Sequence, residues 1–292
     1  MSVDYAALFE GAVHERVIEW AVMPGSRTNM NVRVRTAEGE YAMRMPGAGT
    51  NEYIDRSAEM ANVRALEGLP FTPEVVYADA GTGLLVTRFL EGAASLTTEA
   101  YANEADVRDM CAVLAQLHGS GVAFGNEFDL DAGVLEYREV LNREGYVLPA
   151  EVVGSQGRLD AALRTLLDEY AMPPVPSHGD PNAANFMRSP ERLWLIDWEY
   201  SGMADPYFDL ANVVLTDCLS PAAEGRLVAA YEDTSGTRIK LRRWRLFKAS
   251  IDYMWLFWHL IKLSKGQMPE YNGAAWRRRL SRALSNLDEI GL

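Results

Sequence analysis

The hydrophobic rhythm of the chain changes once, near Gly92. Before that point apolar residues come in short runs. Val17 to Val22 is an apolar run closed by the turn residues MPGSRTN, NVRVRT alternates as a half-buried strand does, and after the turn AEGE the segment YAMRM alternates again until PGAGT ends it. From Tyr53 to Leu69 apolar residues recur at helical spacing through Ile54, Ala58, Ala61 and Ala65, which predicts one helix. TPEVVYAD and GLLVTRFLEG follow as two further strands around an Ala-Gly-Thr-Gly turn.

After Gly92 the pattern is that of long helices. DVRDMCAVLAQLHGSG is amphipathic and meets stop signals at Gly119 and Gly121, and GRLDAALRTLLDEYAM runs into a break at Pro173, Pro174 and Pro176. Two short β-like runs, NFMRS and LWLIDWE, flank the turn SPER, and beyond Asp205 the chain reads as helical except around GQMPEYNG. The expectation is an α+β chain with two lobes, a small strand-rich lobe over residues 1–92 and a larger helical lobe over 93–292. It has no internal repeat and no low-complexity segment.

Composition narrows what such a chain does. Of 292 residues 48% are hydrophobic, enough for a packed core. The longest apolar stretch, Tyr253 to Ile261, carries His259 and stops at Lys262, well short of the roughly 20 residues of a membrane span. The N-terminus MSVDYAALFEGAVHE has acids and no basic segment, so no membrane insertion and a cytoplasmic location are expected. Cys111 and Cys218 each stand alone among apolar residues with no zinc-type spacing, and both are expected as small buried core residues. A net charge of −13 argues against a nucleic-acid partner and suits a cationic small molecule; no oligomeric state follows from it.

The chemistry concentrates in SHGDPNAANFM and the following LWLIDWEY. Together they hold HxDxxxxN, formed by His178, Asp180 and Asn185, and then Asp197 after an apolar strand. Phosphoryl transfer needs a carboxylate to receive the hydroxyl proton and hard oxygen ligands to hold Mg²⁺ on nucleotide phosphates. Asp180, in a loop punctuated by Gly and Pro, is the candidate base, Asn185 and Asp197 are the candidate metal ligands, and His178 is expected to bond loop backbone. Either segment alone could be an ordinary turn or strand end; their order carries the signal. Ser26, Thr28, Asn29 and Asn31, in the loop GSRTNMNVRV, can surround phosphates with neutral donors. Arg44 on a strand and Glu59 on the next helix form the kind of pair that orients a cation on the α- and β-phosphates.

These segments, with RMPGAGTNEYIDR and IDWEYSGMADPYFDLAN, resemble the choline/ethanolamine kinase family, particularly its bacterial members, within the wider group of aminoglycoside and other small-molecule phosphotransferases that share the protein-kinase fold. The resemblance runs from about Gly25 to Tyr271. It implies a bilobal protein-kinase-like fold and transfer of the γ-phosphate of ATP, with Mg²⁺, to the hydroxyl of choline or a related amino alcohol to give phosphocholine. It also implies choline-contacting aromatics in IDYMWLFWHL, where Asp252, Trp255 and Trp258 fall at i, i+3 spacing on one helix face. Tyr200 and Glu199 beside the metal site are further candidates for a cage. In that branch an acid often sits seven residues after the residue matching Asp209; here that position is Thr216 and Asp217 follows, which leaves Glu199 and Asp217 both open as the acid facing the cation. The alternatives are a phosphotransferase for ethanolamine, thiamine or an aminoglycoside, or a catalytically inactive pseudokinase acting as a binding module. An aminoglycoside pocket would be open and rich in acids rather than aromatic, and a pseudokinase would lack one of Asp180, Asn185 and Asp197.

Overall fold

A computed structural model describes residues 3–24, 29–47, 54–170, 172–266 and 273–292. The first element is a helix, α1 (Tyr5–Val13), opened by the Asp4 carboxylate accepting the Ala7 N–H at 3.0 Å. The strands β1 (Glu19–Met23), β2 (Asn29–Arg35) and β3 (Glu40–Pro46), the helix α2 (Arg56–Ala65), and the strands β4 (Val75–Asp79) and β5 (Leu84–Arg88) follow. The strands form one antiparallel sheet in the order β1-β2-β3-β5-β4.

Alternation in these strands sorts core from site. Val32, Val34, Tyr41, Met43 and Val86 point to one face and bury against Phe9 of α1. On the other face the register sets Asn31 opposite Arg44 and Arg44 opposite Leu85, and this face lines a cavity. A strand period of two thus separates packing from chemistry.

The rest of the chain is mainly helical. It comprises β6 (Ala94–Ser95), α3 (Glu104–His118), α4 (Leu130–Arg143), α5 (Ala150–Tyr170), β7 (Val175–Ser177), β8 (Phe186–Arg188), β9 (Leu193–Leu195), β10 (Gly202–Ala204), α6 (Tyr207–Thr216), α7 (Pro221–Ser235), α8 (Leu241–Ser264) and α9 (Ala274–Asp288). Two small antiparallel sheets, β6-β8-β9 and β10-β7, present the HGD segment and the strand end before Asp197 on the helical core. No helix among the described residues is long and apolar enough to cross a membrane.

The α+β architecture agrees with the sequence reading, with three differences of detail. Two helices, α1 and α4, lie where no helix is predicted. The helix expected after PGAGT is present, but Ala61 and Ala65 are exposed while Arg56, Glu59, Met60, Asn62 and Val63 are buried. Its inward face is partly polar because it serves the site, so apolar periodicity selects the wrong side. Cys111 is buried as expected, whereas Cys218 is exposed: it follows the end of α6 in a left-handed conformation, φ 52°, that turns it out of the core.

Candidate active site

The HGD segment is a rigid loop built on buried hydrogen bonds. Gly179 has φ +86°, and a Cβ there would lie 2.2 Å from the Tyr200 carbonyl oxygen, so only glycine fits. The fully buried His178 donates from Nε2 to the Ile196 carbonyl at 2.8 Å and accepts the Asp180 N–H on Nδ1 at 3.2 Å. Burial pushes its pKa down, and both bonds fit the neutral ring. Behind the loop, Asp209 of α6 accepts the His178 N–H at 2.9 Å and the Gly179 N–H at 2.8 Å. It also meets His118 Nε2 at 3.0 Å, and His118 Nδ1 meets the Tyr231 hydroxyl at 2.6 Å. Burial acts to raise the Asp209 pKa, but the His118 bond and charge and the backbone donors outweigh it and hold the carboxylate ionised below its ordinary range. Asn212, one turn along α6, donates to the Gly179 carbonyl at 3.0 Å.

Asp180 accepts from Asn182 Nδ2 at 3.0 Å. Burial pushes its carboxyl up to about 7, the Asn182 bond opposes the rise, and the charges of Asp197, Asp217 and Glu199 add to it. The sign gives a stability test. The folded state holds this proton more tightly than the unfolded chain, so stability is lost as pH rises from about 4 toward 7, by about 1.4 kcal/mol for each pH unit separating the two pKa values. Asp180→Asn removes the penalty. In EDTA its melting temperature at pH 8 should exceed the wild type's by several degrees, at about 2–4 °C per kcal/mol, and the gain should vanish near pH 4. An equal gain at both pH values would disprove the buried-charge origin.

Asn185 closes the short 3₁₀ turn Ala183–Asn185. Its Nδ2 donates to the Asp180 carbonyl at 2.8 Å, which commits the nitrogen and leaves the amide oxygen as the atom it can offer a ligand. Its own carbonyl accepts the Ile196 N–H at 3.0 Å, so Asn185 and Asp197 are held side by side. Asp197 has φ 68°, an uncommon conformation for a non-glycine residue that often marks function. Burial raises its pKa and Arg44, 3.2 Å away, opposes the rise. One amide oxygen and one carboxylate form a sparse, hard set, which fits Mg²⁺ because that ion keeps waters and takes its other ligands from phosphate.

Arg44 is the hub on the sheet side. It forms a buried ion pair with Glu59 and reaches Asp197. Arg56 bonds the other Glu59 oxygen at 2.7 Å and approaches Glu199 at 3.5 Å, and Asn29 Nδ2 donates to Glu199 at 2.9 Å. Glu199 is therefore committed to the junction between β2, α2 and the segment after Asp197, with burial and then Asp197 raising its pKa. Sequence reading did not single out Arg56, although its place three residues before Glu59 puts the two on one helix face. A cavity of about 180 Å³ opens here, lined by Asn29, Asn31, Arg44, Leu85, Phe89 and Asp197 among others. Ser26 and Thr28 lie outside the described residues.

Three aromatic side chains meet next to the HGD loop, which Tyr200 touches at Gly179. Trp255 stands edge-to-face with Tyr200, ring centroids 6.1 Å apart, and with Trp258 at 5.8 Å. Trp255 Nε1 donates to Asn212 Oδ1 at 2.8 Å, and the Lys262 ammonium lies 5.3 Å from the Trp258 ring. All three aromatic residues keep some exposure. Asp252, expected on their helix face, is instead fully buried and paired with Arg279 and Arg282 of α9. Asp217 accepts the Tyr101 hydroxyl and the Ala183 N–H, so it braces the turn carrying Asn185.

The chain matches the phosphotransferase enzyme family over residues 19–247. It is 26% identical over 273 residues to the protein LicA of Haemophilus influenzae, covering 90% of this chain and 99% of that protein. Among solved structures, a choline/ethanolamine kinase family protein from Mesorhizobium loti is 29% identical with a TM-score of 0.77, over 92% of this chain and 88% of that one. The choline kinase LicA from Streptococcus pneumoniae is 24% identical with a TM-score of 0.76, over 92% of this chain and 94% of that one. The resemblance and the protein-kinase-like fold read from the sequence both hold.

Proposed function

Because the chain belongs to the phosphotransferase enzyme family, we propose that it transfers the γ-phosphate of ATP to the hydroxyl of choline, or a related amino alcohol, to give phosphocholine. The observation that carries this reading is one of linkage: the Asp180 carboxyl feels the charge of Asp197, which lines the Arg44 cavity, and its neighbour Gly179 packs against Tyr200, whose ring meets Trp255. The choline/ethanolamine kinase relative supports the acceptor class.

In this reading the nucleotide occupies the cavity on the inner face of the sheet, with its phosphates toward Asn29, Asn31 and Arg44. Glu59 holds Arg44 in place. Asn185 and Asp197 would hold Mg²⁺, which supplies charge neutralisation on the phosphate oxygens. Asp180 receives or orients the proton of the acceptor hydroxyl, and the bond its carboxylate accepts from Asn182 and the one its N–H donates to His178 keep it in place. Choline has no N–H to donate, so its site must rely on aromatic faces and diffuse negative charge. Tyr200, Trp255 and Trp258 supply the faces. Glu199 and Asp217, both committed to other partners, act only through their field.

A coupled ADP-release assay over choline, ethanolamine, thiamine and kanamycin tests the assignment. Choline should be turned over best; if it fails while another alcohol reacts, the choline reading falls. The cage has its own test. A desolvated cation–π contact is worth up to about 2 kcal/mol, so Trp258→Ala should raise the choline KM by roughly thirtyfold with little change in kcat. Trp255→Ala should raise KM similarly and lower kcat as well, because it also removes the bond to Asn212 that steadies Gly179. If both variants melt as wild type does and keep the wild-type choline KM, the cage lies elsewhere.

A further inference from the structure

The helix α2 holds the segment between Asp197 and β10 at two points. Near its start Arg56 approaches the Glu199 carboxylate. Further along, Asn62, which has no exposed surface, donates from Nδ2 to the Ser201 carbonyl and hydroxyl at 3.1 Å each and to Asn126 Oδ1 at 2.7 Å. Its Oδ1 accepts the Gly125 N–H at 3.2 Å, and Asn126 Nδ2 donates to the same Ser201 carbonyl at 2.9 Å. Ser201 in turn donates its hydroxyl to the Trp198 carbonyl at 2.7 Å. Tyr200 lies between the two points of attachment, its carbonyl seated on Gly179 and its ring against Trp255.

This arrangement is more than packing. A buried amide that uses both ends costs desolvation that a leucine at the same position would not, so its value lies in the geometry it imposes. Asn62 falls three residues after Glu59, on the same face of α2. One rigid face therefore holds Arg44 through Glu59 and Ser201 through Asn62. The backbone that carries Tyr200 cannot shift without straining bonds that α2 makes on either side of it.

We propose that Asn62 is a positioning residue for the acceptor pocket: by fixing the Ser201 backbone it sets the Tyr200 ring against Trp255, so that α2 governs acceptor affinity as well as the nucleotide site. This rests on the acceptor reading given above.

The test is a double-mutant cycle of Asn62→Ala and Tyr200→Ala, read as acceptor KM, kcat, nucleotide Kd and melting temperature. Asn62→Ala should raise the choline KM about five- to tenfold, the loss of about one hydrogen bond, with nucleotide Kd within about twofold. In the Tyr200→Ala background it should add no more than about twofold, because its effect passes through that ring. A folded Asn62→Ala with unchanged choline KM, a parallel loss of nucleotide affinity, or a loss that multiplies in full on Tyr200→Ala overturns the proposal. Should Asn62→Ala fail to fold, Asn126→Ala removes a bond to the same carbonyl from a half-buried position, and the same outcomes apply. If the wild type prefers another alcohol, the cycle is run with that alcohol, so the choline assignment and the positioning role fail separately; if it phosphorylates none, both fall.

Discussion

Replacing Asp180 with asparagine should lower kcat by about 10²–10⁴-fold and leave nucleotide affinity within about twofold. The substitution is nearly isosteric, and the Asn182 amide that donates to Asp180 can be met by the new carbonyl oxygen. The backbone of the loop is held independently by His178, Asp209 and Asn212, so its shape survives. What changes is the loss of a carboxylate whose pKa burial has pushed up to about 7, a value matched to taking a proton near neutral pH. Single-turnover rates with saturating nucleotide and acceptor, beside nucleotide titration of the same variant, separate the two quantities. Activity within a few-fold of wild type would show that the proton goes elsewhere.

The parts of the site that could be read in the sequence are those whose chemistry is local. Asp180, Asn185 and Asp197 sit in two short segments joined by a turn, and the β8–β9 hairpin brings them together with little help from the rest of the chain. Arg44 and Glu59 were legible because a strand followed by a helix is a compact unit. Contacts that cross the whole fold were not legible. Asp209, His118 and Tyr231 come from three helices and form the support behind the HGD loop, yet each alone is a polar residue in an amphipathic pattern. Asn62 and Arg56 lie on a helix whose alanines suggest the opposite face as buried, so burial of polar groups for function defeated the hydrophobic count. Asp252 failed for the converse reason: helical spacing puts it near the tryptophans, and only the α9 arginines decide that it turns inward. The helix α1 was missed although its Asp4 cap is a visible start signal, because nine residues, about two and a half turns, give the apolar pattern too little length to recur.

The loss expected on removing Asp197 is as large and differs in kind. The Ile196 N–H bond to the Asn185 carbonyl sets the Asp197 carboxylate beside Asn185, and among the described residues no group of three or more His, Cys, Asp or Glu could hold a metal ion. In Asp197→Ala, Arg44 loses one partner but keeps its buried pair with Glu59, so the sheet side of the cavity should stay formed. Nucleotide binding in EDTA should then persist, and a modest gain is expected because Arg44 no longer divides its charge between a carboxylate and the phosphates. Turnover should fall by about 10³-fold or more, in keeping with the loss of a group that places charge at the reacting phosphate. The discriminating measurement is the ratio of nucleotide Kd without and with Mg²⁺: it should exceed one in the wild type and collapse to about one in the variant. A variant that keeps the wild-type ratio, or near-normal turnover, would remove Asp197 from the metal site; a variant that loses nucleotide binding even in EDTA would show that the Arg44–Asp197 contact, rather than the metal, is what this carboxylate supports.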